Sequence, residues 1–171
     1  MKRFAERFDS PLGPMILVSD GTALIGLYLE GQKHFPNNAG TWIWGESLPV
    51  FQETRRQLGD YFEGRRRRFD LPLEPAGTSF QQQVWKALKG IPHGATLTYA
   101  EVARRIGKPT AARAVGAAVG RNPLTILVPC HRVLGQNGAL TGFAGGLEQK
   151  KKLLDLESAQ PLPGLLEQIE Q

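Results

Sequence analysis

Two helix starts, Thr78-Ser79-Phe80-Gln81 and Thr98-Tyr99-Ala100-Glu101, constrain this chain more than any other feature. Each sets a threonine three residues ahead of a glutamine or glutamate. Hydroxyl and carboxyl-type side chain can then satisfy the first backbone N–H groups reciprocally, which fixes where a helix begins. After the first start, Phe80, Val84 and Leu88 recur at helical spacing until Gly90 and Pro92. After the second, a short helix from Tyr99 to Ile106 meets Gly107 and Pro109, and Thr110 is a candidate cap for a third helix, Ala111 to about Gly120. Two short helices across a tight glycine-containing turn read as a helix-turn-helix. The second of the pair is thin: Ala111, Ala112, Ala114, Gly116, Ala117, Ala118 and Gly120 leave Arg113, with Arg121 just past its end, as the long side chains. Such a helix could enter a groove closely and insert one arginine, or pack closely on a neighbouring helix. Spacing leaves both open.

Upstream the pattern differs. Residues 2–8 alternate as a strand, Ser10-Pro11-Leu12-Gly13-Pro14 is a turn cluster, and apolar runs Met15–Ser19 and Thr22–Glu30 meet at Asp20-Gly21, a hairpin signal. Residues 31–46 read as loop, with Trp42 and Trp44 expected to cover a core. From Leu48 to Gly64 the periodicity is helical, carried by Val50 or Phe51, Thr54, Leu58 and Tyr61 or Phe62. Arg65 to Arg68 is a run of four cations that could meet phosphate or sit solvated beside Asp60, Glu63 and Asp70. Residues 68–73 could add a short strand, and Glu74-Pro75-Ala76-Gly77 reads as a linker. The expected architecture is α+β, with residues 1–77 as an N-terminal α/β unit and 78–171 as a helical one.

Charge separates the halves. Residues 1–77 hold ten Lys/Arg and ten Asp/Glu, and residues 78–171 hold eleven and six, so the whole +5 lies in the second half. That suits a polyanionic partner such as nucleic acid, or an ordinary solvated basic surface. No apolar run is long enough for a membrane span. The N-terminal Met1-Lys2-Arg3-Phe4-Ala5-Glu6 lacks a signal peptide's apolar core, so a cytoplasmic location is expected. The single cysteine excludes an internal disulfide and a multi-cysteine zinc site, and His34, His93 and His131 lack ligand spacing, so neither metal nor cofactor is expected.

That cysteine lies in Val128-Pro129-Cys130-His131-Arg132-Val133, after the apolar run Leu124–Val128 and before the glycine-rich stretch Gly135–Gly146. A thiol between a buried segment and a flexible one, beside a base, has the setting of a nucleophile. It is equally the setting of a small buried hydrophobe. Neighbours on an extended strand point to opposite faces. His131 could therefore act on Cys130 only through a turn after Pro129 or a bridging water.

Pro129-Cys130-His131-Arg132-Val133 resembles the active-site motif of the O6-alkylguanine-DNA alkyltransferases. The likeness extends through Phe80–Trp85, Thr98-Tyr99, Ala111–Gly116, Asn122-Pro123, Thr141–Gly146 and Leu153–Glu157 in order and spacing, and through the Ser10–Pro14 turn and its hairpin. The resemblance implies an N-terminal ribonuclease H-like domain with an antiparallel sheet and a C-terminal helix-turn-helix domain. It implies a monomer acting on duplex DNA that carries O6-alkylguanine, with O4-alkylthymine a further candidate. The base is flipped out, and the alkyl group passes irreversibly to Cys130, once per molecule. Roles follow position by position. Cys130 is the nucleophile, His131 the base acting through a water, Glu157 its orienter and Asn122 a hinge that holds the backbone. Tyr99 donates to guanine N3, and Arg113 fills the gap left by the flipped nucleotide. Thr98, Ala111, Ala112, Ala114 and Arg121 fall in the DNA-binding region. Val133 offers its carbonyl to the guanine amino group, Ala144 its N–H to O6, and Gly145 lies beside them. Phe143 is a departure, since many relatives carry tyrosine at that wall of the alkyl pocket. Two rival functions are a non-catalytic sensor of alkylated DNA, which in relatives has tryptophan in place of the cysteine, and a cysteine hydrolase using Cys130, His131 and Glu157.

Overall fold

The computed structural model describes residues 1–159; residues 160–171, the end of the expected C-terminal unit, lie outside it. Strands β1 (Phe4–Ser10), β2 (Gly13–Ser19), β3 (Leu24–Leu29) and β4 (Ile43–Trp44) form one sheet in the order β3-β2-β1-β4. The first three strands are antiparallel, as expected, and the two-residue β4 adds a parallel edge beside Phe4 and Ala5. Alternation gives β2 two buried faces. Met15 and Leu17 join the main core, while Ile16 and Val18 pack with Tyr28 and Trp42 on the other side. Trp42 is buried as expected. Trp44 is largely exposed and rests beside the Trp42 ring, since the short β4 has no layer beyond it.

Helix α1 (Pro49–Phe62) covers the first face. Of the paired apolar candidates the structure buries Phe51 and Tyr61, with Thr54 and Leu58 between them, and leaves Val50 and Phe62 half-buried. Gly64, at φ 77°, ends the helix where a side chain would be strained. Of the expected strand over 68–73 only Leu73 pairs, bridging to Leu24.

Helices α2 (Ser79–Lys89), α3 (Tyr99–Arg105), α4 (Ala112–Gly120) and α5 (Leu147–Ala159) form the second half. Both capping boxes are present, Thr78 with Gln81 and Thr98 with Glu101. Thr110 caps nothing: the chain turns through Lys108–Ala111, and α4 starts from Ala111 without a side-chain cap. Helix α4 turns Val115, Ala118 and Val119 inward beside α2 and α3 and leaves Ala114 and Ala117 exposed, and Trp85 Nε1 donates to the Ala118 carbonyl at 2.9 Å.

One apolar cluster runs through both halves, from Met15, Leu17 and Leu27 to Val84, Leu124 and Leu153. The free edge of β3 carries the junction. At one end Leu24 exchanges hydrogen bonds with Pro72 and Glu74; at the other, Leu27 N–H donates to Pro123 O at 2.8 Å and Thr125 N–H to Leu27 O at 3.0 Å. A sheet edge that would otherwise be open thus anchors the segment leading to Cys130.

Candidate active site

From Leu124 the chain advances in tight turns. Val128 N–H donates to Leu124 O, Leu127 N–H to Thr125 O and Cys130 N–H to Val128 O, with Ile126 held at φ 73°, a costly conformation for a β-branched residue. Asn122 braces this path: its side-chain amide donates to Val128 O at 2.8 Å, and its oxygen accepts from Leu124 N–H at 2.9 Å. The turn expected after Pro129 is present, with Cys130–Arg132 as one 3-10 turn. Successive side chains there diverge by about a third of a turn rather than pointing oppositely. Strand β6 (Val133–Leu134) then pairs in parallel with β5 (Leu97–Thr98), which sets Tyr99 beside the cysteine segment.

Glu157 and His131 are brought together. The Glu157 carboxylate, on α5, holds His131 Nε2 at 2.7 Å; both side chains are fully buried. The sequence reading missed the remaining partners of that carboxylate. Arg132 reaches it through Nε at 2.8 Å and Nη2 at 2.9 Å while its Nη1 donates to Ile91 O. Tyr61 donates its hydroxyl from α1 at 2.6 Å. Burial would raise the Glu157 carboxyl, but the bonds from His131 and Arg132 outweigh it and hold the group well below the usual carboxylate range. Burial lowers His131 against the pull of Glu157, so the imidazole is neutral at pH 7. A carboxylate only accepts, so Nε2 carries the imidazole hydrogen. Nδ1 is then a bare lone pair, and it has no partner among the described residues. That is the form of a base waiting for a proton.

Cys130 is 5% exposed. Burial pushes its thiol up, with the Asn122 side chain and the Lys150 ammonium opposing. Lys150 was also missed. Fully buried, it donates to Val133 O and Thr141 O at 2.6 Å each and to Gly142 O at 3.2 Å, clasping the glycine-rich stretch to the cysteine segment. Burial pulls its pKa down to about 8. The available signal was the spacing Lys150, Leu153, Glu157, which sets two charged residues on the core-facing side of the last helix. Tyr99 is half-buried; its hydroxyl donates to Thr141 O at 3.3 Å, and burial raises the phenol. Phe143, Ala144 and Gly145 are half-buried in the same loop, and Ala144 O accepts from Lys33 N–H of the first half at 2.9 Å.

Arg113 and Ala114 are exposed on the first turn of α4, with Ala111 and Ala112 half-buried beside them in sequence and Thr98 half-buried as the cap of α3. Arg121 lies at the other end of that helix, roughly 12 Å along the axis at 1.5 Å per residue. It borders a separate cavity with Gln32 and His34, apart from Arg113.

A helix-turn-helix beside a buried cysteine, a neutral histidine and an orienting carboxylate defines a nucleophilic protein built against nucleic acid. Comparison with known proteins gives the family. The DNA-binding domain of 6-O-methylguanine DNA methyltransferase matches residues 79–159, and the ribonuclease-like domain of the same family matches residues 4–75. The methylated-DNA–protein-cysteine methyltransferase of Methanosarcina acetivorans is 48% identical over 155 residues, 89% of this chain and 96% of that protein. The one from Mycobacterium leprae is 46% identical over 157 residues, 92% and 93% of the two chains. The crystal structure of Mycobacterium tuberculosis O6-methylguanine methyltransferase superposes with TM-score 0.87 at 43% identity, covering 98% of this chain and 99% of that one. A crystal structure of the same organism's OGT in complex with DNA gives 0.85 at 44%, covering 95% and 97%. This chain belongs to the 6-O-methylguanine DNA methyltransferase family.

Proposed function

We propose that this protein repairs O6-alkylguanine in duplex DNA by moving the alkyl group to Cys130, once per molecule, in the cytoplasm and as a monomer. The observation that carries the reading is the bare Nδ1 of a neutral, buried His131, fixed by Glu157 next to the chain's single cysteine. The Cys130 thiol is raised by burial, so it reacts only as its proton leaves, and Nδ1 can take that proton directly or through a water. The sulfur attacks the alkyl carbon, the carbon–oxygen bond breaks, and guanine leaves with its negative charge offset by hydrogen bonds. Tyr99 supplies one at N3, since a raised phenol keeps its proton at pH 7. The Ala144 N–H supplies another at O6, Gly145 and Phe143 wall the alkyl group, and the Val133 carbonyl, which keeps a lone pair beside its bond to Lys150, accepts the guanine amino group. Overall the thiol hydrogen is exchanged for the alkyl group, and guanine regains its hydrogen. No metal or cofactor enters this balance.

A stacked base cannot reach a thiol that is 5% exposed, so the nucleotide must leave the duplex. The exposed Arg113 fills the gap, and the small Ala111, Ala112 and Ala114 let the helix approach closely, with Thr98 and Arg121 as flanking contacts. Asn122 keeps Cys130 at a fixed distance from that helix. The test is base analysis of O6-methylguanine duplex DNA after incubation with an equimolar amount of protein. Methylguanine should become guanine in place. Release of free methylguanine, or binding without loss of the lesion, would refute the transfer; the latter is the outcome for a sensor.

A further inference from the structure

The Arg65–Arg68 run divides into two pairs. Arg65 bonds to Asp60 at 3.0 Å and to Glu63, and Arg66 approaches Asp60 at 3.9 Å while donating to the Arg68 carbonyl at 3.0 Å. Arg67 and Arg68 have no carboxylate partner among the described residues, although Arg67 is half-buried. Both face a cleft of about 560 Å³ whose wall also carries Lys89, His93 and Arg132 and no carboxylate. The volume falls within the range of roughly 300–1,000 Å³ typical of small-molecule sites. Arg132 is already committed to Glu157 and to Ile91 O. His93 is not: its Nδ1 is buried without a partner among the described residues. The half-buried Phe69, Leu71 and Leu73 turn apolar surface to the same cleft. The cleft borders Pro129 and Arg132 but not Cys130, Tyr99 or Phe143, so it is separate from the transfer site.

We infer that this cleft is a second ligand site, taking a nucleotide whose phosphates meet Arg67, Arg68 and Lys89 and whose base covers Phe69, Leu71 and Leu73. Unpaired guanidinium and ammonium groups without an acid among them select an anion, and the arginine fork matches phosphate oxygens. A bare phosphate would leave the apolar floor wet; a base covers it. The His93 imidazole supplies the unused polar atom. The nucleotide can be free or part of a DNA strand, and both present this chemistry. The site stands independently of the transfer reading, because none of its distinguishing side chains touches Cys130.

The probe is thymidine 5′-diphosphate, titrated calorimetrically into the full chain, with thymidine as the uncharged control. The wild type should bind the diphosphate. Arg67→Ala/Arg68→Ala should bind at least about tenfold more weakly, as expected on losing charge-assisted contacts, and should transfer methyl groups as before. Leu71→Trp fills the floor without changing charge and should weaken binding similarly. No binding by the wild type, or equal affinity in the double arginine variant, would overturn the site. Undiminished binding in Leu71→Trp would reduce it to surface electrostatics and overturn it as well. Salt titration of an undamaged duplex names the source. A slope of log K against log salt that falls by about 2 in the double variant places a strand's phosphates in the cleft, and an unchanged slope leaves a free nucleotide.

Discussion

Tyr61→Phe removes one hydroxyl, 96 residues away in sequence from the carboxylate it serves. The bond is 2.6 Å long, between fully buried partners, and its acceptor is ionised. Hydrogen bonds to charged groups contribute about 1.5–3 kcal/mol. Glu157 Oε2 keeps His131 Nε2 at 2.7 Å and Arg132 Nη2 at 2.9 Å after the change, and phenylalanine leaves no orphaned donor. The loss therefore falls near the lower end, about 1.5 kcal/mol, or about 3–6 °C in Tm for a chain of this length. A second effect separates this from plain loss of packing. With one donor gone, more negative charge remains on Oε2 facing His131, which stabilises the imidazolium. The acid limb of the transfer rate should move to higher pH, while the rate above that limb persists. Thermal unfolding and a single-turnover pH profile measure the two effects. An unchanged Tm, or a limb that stays in place or moves to lower pH, would refute the coupling of Tyr61 to His131 through Glu157.

Arg113→Ala should slow repair in duplex DNA by more than about tenfold while leaving attack on free O6-benzylguanine within about twofold, because the free base needs no flipping; equal losses on both substrates would remove the gap-filling role. Lys150→Met should cost at least about 1–3 kcal/mol and loosen residues 135–146, because it strips the donor from the Val133, Thr141 and Gly142 carbonyls; hydrogen exchange confined to wild-type rates in that loop would contradict the clasp. Stability should fall as pH drops first through 6.5 and then through 4.5, the ordinary values of His131 and Glu157. Both groups are lowered in the fold, so the unfolded chain binds more protons in each window, at up to about 1.4 kcal/mol per pH unit per group. Denaturant unfolding at a series of pH values measures this, and a curve flat below 6.5 would contradict the assigned states.

Local chemistry made much of the fold legible. The two capping boxes declared themselves because both partners lie within four residues of each other, and the Asp20-Gly21 hairpin because turn and strands are contiguous. Thr110 misled because a cap depends on where the preceding turn ends, and Lys108–Ala111 carries the chain one step further. Strands β5 and β6 are two residues each, too short for any alternation to show. The site divides the same way. Cys130 and His131 stand in one short motif, whereas Glu157 entered only through the family's spacing. Tyr61 acts through a contact that no local pattern encodes, whereas Lys150 left a local signal in its helical spacing to Leu153 and Glu157, although its carbonyl partners lie outside that helix. Arg132 was in view from the start, and its role became visible only when α5 brought Glu157 against it. The positive φ of Ile126 has no sequence signal at all, because an isoleucine there is held by the hydrogen bonds around it.

Intact-mass analysis tests the central claim most directly. The protein is mixed with excess O6-methylguanine duplex DNA, digested, and searched for added mass. The expected result is a single methyl per molecule, on the peptide containing Cys130, with none in Cys130→Ser. The product is a thioether, a poor leaving group, and the chain has no second cysteine to accept the methyl from it. Repair of many lesions by each protein molecule, or a methyl group on any other residue, would contradict single-turnover transfer to Cys130.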